Sequence, residues 1–94
     1  MAEFEVFIDH THYNVPAPNW NITSPTPPAH NVTAVASFRA DLDSWLAMNN
    51  ASGKIVVVHE VPHFLIVIIE CDQKYADALK IMPGVLQVNP HYEK

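Results

Sequence analysis

The stretch from Lys54 to Cys71, KIVVVHEVPHFLIVIIEC, constrains the fold more than any other part of the chain. Two β-branched apolar runs flank a break at Val61-Pro62-His63, the pattern of a tightly turned β-hairpin. With Val61 opposite Phe64, one side of this hairpin carries Ile55, Val57, His59, Ile66, Ile68 and Glu70. The other side then carries Val56, Val58, Glu60, Leu65, Val67, Ile69 and Cys71. Both sides are apolar, whereas a sheet with one solvated face should alternate. A second covering layer is therefore expected over the hairpin. It is either the chain's own proline-rich segment, a second copy, or a different protein.

The same stretch contains His59-Glu60-Val61-Pro62-His63, a literal H-E-x-x-H zinc-protease pattern. That motif needs a helix, which brings residues i and i+4 to one metal. Pro62 sits inside it, and a proline within a helix costs about 3 kcal/mol. The strand-like flanks agree, so a metalloprotease is not expected.

Elsewhere the period changes along the chain. Phe4 to His10 alternates, with Phe4, Val6 and Ile8 on one side and Phe7 on the other, and reads as a first strand. Residues 11–34 hold five of the eight prolines and form a long irregular segment, in which Tyr13, Trp20 and Ile22 favour packing. From about Ala34 to Asn50, Val35, Phe38, Leu42, Trp45 and Leu46 recur at helical spacing. Asp72 reads as the N-cap of a second helix with Tyr75, Ala78, Leu79 and Met82 on its apolar face. Pro83-Gly84 stops it, and Val85 to Asn89 forms the last strand before a polar tail. The order β-α-β-β-α-β predicts one α+β domain over 1–94. Its expected form is the ferredoxin-like split-βαβ arrangement: a four-stranded antiparallel sheet, two helices on one face, and a proline-rich insertion after strand one.

Charge and cysteine usage narrow the function classes. Only 16% of the 94 residues are charged, a thin solubilising layer that again suggests a covered surface. The net charge is −5, and Arg39, Lys54, Lys74, Lys80 and Lys94 are scattered, so nucleic-acid binding is disfavoured. Cys71 is the only cysteine and reads as a small core residue. No signal peptide or membrane-spanning run is evident, which makes a soluble cytoplasmic protein the expectation. Asn21-Ile22-Thr23 and Asn31-Val32-Thr33 then read as chance glycosylation matches.

Asp9-His10-Thr11-His12-Tyr13 is the densest set of coordinating side chains. In extended chain His10 and His12 would point the same way and could share a metal, with His59 as a further candidate. No phosphate loop, nucleophile elbow or convergent carboxylate pair accompanies them. No cofactor is expected, and the pattern favours a non-enzymatic module over an enzyme.

The segment Tyr75 to Val88, with Leu79, Pro83-Gly84-Val85 and Val88, resembles the second helix and last strand of subtilisin propeptides and their stand-alone inhibitor relatives. The resemblance implies a ferredoxin-like fold whose open sheet face presses on a protease, with the C-terminal tail in the substrate cleft. The expected function is thus a protein-interaction module, self-associating or binding a partner, with Phe7, Trp20, Val56, Val58, Val67, Ile69 and Tyr92 in contact. The alternative is a small-molecule or metal-binding domain of ferredoxin-like dimeric type, regulatory or enzymatic, that uses His10 and His12.

Overall fold

Alternating apolar residues make Ala2–Ile8 the first strand, β1, and Phe4, Val6 and Ile8 on it are all buried. The structure is a computed structural model that describes residues 2–18 and 25–91. After β1 come α1 (Ala29–Met48), β2 (Val56–Val61), a 3-10 turn (Pro62–Phe64), β3 (Ile66–Cys71), α2 (Gln73–Leu79) and β4 (Val85–Pro90). The chain is therefore α+β, with two helices and a four-stranded sheet in the order β2-β3-β1-β4. Every neighbouring pair in it is antiparallel.

One apolar core lies between the sheet and both helices. Phe4, Val6 and Ile8 of β1, Val67, Ile69 and Cys71 of β3 and Val88 of β4 meet Val35, Phe38, Leu42 and Leu46 of α1. Ala76 and Leu79 of α2 close the same core. The spacing of the α1 residues keeps them on one stripe, as burial against a sheet requires. Gly84, at φ +93°, makes the turn from α2 into β4 that Pro83-Gly84 announces.

Two boundaries and one cap differ from the sequence expectation. Helix α1 starts at Ala29, five residues early, directly after Pro28. Its first turn, Ala29-His30-Asn31, carries no apolar residue at helical spacing beyond Ala29, so periodicity cannot reveal it. Strand β1 ends at Ile8, because the Asp9 carboxylate accepts from the Thr11 N–H (3.0 Å) and hydroxyl (2.6 Å) and folds the chain into a turn. Asp72 occupies the N-cap position of α2, yet its side chain makes no capping hydrogen bond.

The hairpin is the fourth correction. Val61 pairs with Ile66, so Pro62 to Leu65 form the connection. Leu65 takes a left-handed conformation (φ 54°) while 1% exposed. The pairing also slips between Val57 and His59, where Val57 faces Ile69 and His59 faces Ile68. This bulge places two residues of β2 against one step of β3. Beyond the bulge Val56 and Val57 therefore exchange sides, Val56 joining Glu70 and Val57 joining Ile69, while the grouping on β3 is as expected. Leu65, Val67, Ile69 and Cys71 point under the helices, and Ile66, Ile68 and Glu70 point away from them.

Candidate interaction surface

Because side chains alternate along each strand, burying Phe4, Val6 and Ile8 sends Glu3, Glu5 and Phe7 to the opposite, outer face of the sheet. Register continues this face sideways: Glu3 stands opposite Glu70, Glu5 opposite Ile68 and Phe7 opposite Ile66. On the next strand Val56 stands beside Glu70 and Val61 beside Ile66. On β4, Gln87 and Asn89 lie beside Phe7 and Glu5.

The bulge in β2 shapes this face into a shallow concavity of about 360 Å³. Val58, Val61, Ile66 and Ile68 supply its apolar floor, and Glu3, Glu5, His59 and His91 its polar margin. Ile68 is 7% exposed although it lies outside the helix-side core, so its neighbours on the outer face shield it. Val56 and Val58 remain 48% and 51% exposed. Large apolar side chains on a β surface in this number mark a contact region more often than a solvated one.

His91 fixes the chain just after β4. Its N–H donates to the Glu3 carbonyl (2.9 Å), and its Nδ1 lies 3.2 Å from Glu5 Oε2. Its Nε2 lies 4.0 Å from Glu3 Oε1. His91 therefore belongs to the sheet, and not to a free tail.

Among the expected contact residues, the structure brings Phe7, Val56 and Val58 to the outer face. Val67 and Ile69 are corrected: both are 0% exposed beneath the helices, where no partner reaches them. The expectation placed them together on one side of β3, as observed, but took that side for the outer one, and it is the side the helices cover. Trp20 and Tyr92 lie outside the described residues. The sequence reading missed Val61, Ile66 and Ile68 as contacts for the same reason. Glu5 and Glu70 are polar positions within the expected strands, whereas Glu3 precedes the first of them and His91 falls in the expected polar tail, so nothing in the sequence signals their shared face.

The proline-rich segment packs elsewhere where it is described. The Tyr13 hydroxyl donates to Asp41 Oδ2 on α1 (2.7 Å), and its ring meets Phe38 edge-on at 6.5 Å. Tyr13 and Val15 both lie against the helix-side core. Burial first, and then the Asp41 carboxylate, push the Tyr13 phenol well above its ordinary value.

His10 and His12 sit in the turn after β1 and not on the extended strand from which a shared orientation was expected. His10 Nδ1 lies 3.1 Å from the Val15 carbonyl. His12 packs edge-on against Tyr13 and lines a groove of about 390 Å³ with Trp45, Met48, Met82 and Pro83. Among the described residues, no three His, Cys, Asp or Glu side chains converge as metal ligands would. The H-E-x-x-H text is split between β2 and the 3-10 turn, and Glu60 is engaged by Arg39 at 3.0 Å. Cys71 is buried, and burial with the nearby Asp72 charge pushes its thiol up to about 11, away from nucleophilic use.

Asn31 is 3% exposed, and its Nδ2 donates to the carbonyls of Pro62 (2.9 Å) and His63 (3.4 Å). A glycan on this nitrogen has no room. Among the described residues, no helix is long and apolar enough to cross a membrane. Comparison with known proteins finds no matching family model, no matching curated protein and no matching solved structure.

Proposed function

We propose that the chain is a non-enzymatic protein-interaction module that docks through the outer face of its sheet. The observation that carries this reading is the concavity on the outer face, floored by Val58, Val61, Ile66 and Ile68 beside the exposed Val56. The arrangement of strands supports a ferredoxin-like assignment within the α+β class. β1 and β3 are central, β2 and β4 are at the edges, and the helix residues gather on one face. In that frame the open face is the surface left for a partner.

The specific form proposed is protease inhibition of the propeptide type. It draws on the resemblance of Tyr75 to Val88 and on the way His91 holds the end of β4 at the margin of the outer face. An apolar face pressed on a protease, with the residues after His91 led toward its cleft, fits both features. The deciding experiment is inhibition of a panel of subtilisin-like proteases by the intact chain and by a chain lacking residues 92–94. This deletion leaves β4 and the His91 anchor in place. Inhibition by the first and its loss in the second is the expected result. A panel with no inhibition by either rejects the inhibitor form.

A further inference from the structure

The outer face is acidic as well as apolar, and this selects its occupant. Glu3 and Glu70 stand directly opposite one another on the two central strands, with Glu5 next along β1. Like charges directly opposite on neighbouring strands destabilise a sheet. His91 offsets Glu3 and Glu5 only when it is protonated, and Glu70 has no described cation beside it on the sheet. The described basic residues lie elsewhere. Arg39 is on α1 and paired with Glu60, Lys74 is on α2, Lys80 caps the C-terminal end of α2, and Lys54 is in the connection before β2.

A second copy stacked face to face would bring two sets of Glu3, Glu5 and Glu70 into one interface without a described lysine or arginine to pair them. Carboxylates desolvated without a partner charge oppose such an interface. A surface that offers apolar side chains flanked by lysine or arginine meets both properties at once, filling the Val58–Ile68 floor and pairing the carboxylates at its margin.

We infer that the outer face docks a basic, amphipathic surface of another protein, an apolar ridge bordered by lysine or arginine, and not a second copy of this chain. This rests on the interaction-surface reading above and names its partner chemistry. The test titrates the isotopically labelled full chain with a leucine/lysine amphipathic helical peptide of about five turns. A peptide with glutamate at every lysine position serves as the comparison. The leucine/lysine peptide should shift the methyl signals of Val58, Ile66 and Ile68 saturably, and bind roughly tenfold or more tightly than its acidic counterpart. Added salt should weaken the binding. Glu70→Gln should weaken it while leaving the rest of the spectrum in place, and Ile66→Ser should do the same.

Equal binding of the two peptides, shifts confined to α1 or α2, or no shifts at all would overturn the inference. So would outer-face methyls that move with the chain's own concentration. If the peptides fail on this face while the chain inhibits a protease or buries the face in a dimer, the partner chemistry is wrong and the interaction surface stands. If protease inhibition and self-association are also absent, both readings fall.

Discussion

Tyr13 shows how one residue of the irregular segment is turned into structure. Its hydroxyl is tied to Asp41, its ring leans on Phe38, and its tip lies over Gly84. A Cβ built on Gly84 would come within 2.7 Å of the Tyr13 oxygen, and the backbone there has φ +93°. Gly84→Ala therefore meets two obstacles, a left-handed backbone and a collision. It should lower stability by about 1–3 kcal/mol in urea denaturation. Tyr13→Ala in the same chain should recover the steric part of that loss and leave the backbone part. The phenol adds a pH signature. Its folded pKa lies above its ordinary value through burial and Asp41, so its contribution is intact below an unfolded pKa of about 10 and is lost as pH rises toward the folded value. Wild-type stability should thus fall more steeply than that of Tyr13→Phe above about pH 10. Parallel slopes in urea midpoints measured across that range would show that Tyr13 is not held as described.

The elements were legible in the sequence wherever a period ran uninterrupted. Val35, Phe38, Leu42 and Leu46 announce α1, and the Phe4–Val6–Ile8 alternation announces β1. Pro83-Gly84 marks the passage from α2 to β4. The hairpin was legible as a hairpin but not in register. Leu65 is a buried leucine in a left-handed conformation, which local propensity argues against, since a Cβ is crowded there. The bulge at Val58 then adds a second shift that no alternation rule anticipates. On β3 the residues still group by face as expected, but the side that carries Val67 and Ile69 lies under the helices, which removes two of the seven expected contact residues. This reassignment is measurable. Ile69→Ala should cost about 2–5 kcal/mol as a core truncation, and Val67→Ala should be destabilising in the same sense. Val56→Ser and Val58→Ser, on exposed positions, should stay within about 0.5 kcal/mol. Comparable losses for both pairs in chemical denaturation would return Val67 and Ile69 to the surface.

At the scale of the whole molecule, the two faces of one sheet solve different problems. The inner face is apolar beneath α1 and α2, with Glu60 at its β2 edge paired to Arg39 of α1. The outer face combines valines and isoleucines with Glu3, Glu5 and Glu70, a mixture that neither a dry core nor a fully solvated surface requires. The carboxylates keep the apolar floor from pairing with its own copy, since stacking two such faces desolvates like charges. They do so at a chain net charge of −5, which adds general repulsion between copies. Wild type should therefore sediment as a monomer at neutral pH and low salt. Replacing all three, Glu3→Gln with Glu5→Gln and Glu70→Gln, removes the repulsion and keeps side-chain size and hydrogen-bonding capacity. The triple variant should fold, as judged by an unchanged far-ultraviolet circular dichroism spectrum, and should then self-associate in a concentration-dependent way. Adding Val58→Ser and Ile66→Ser to it should restore the monomer, because the attraction between copies comes from the apolar floor that those residues supply. A triple variant that stays monomeric at every concentration would mean that the floor is too small or too shielded to drive association, and that the glutamates have no partition role to play.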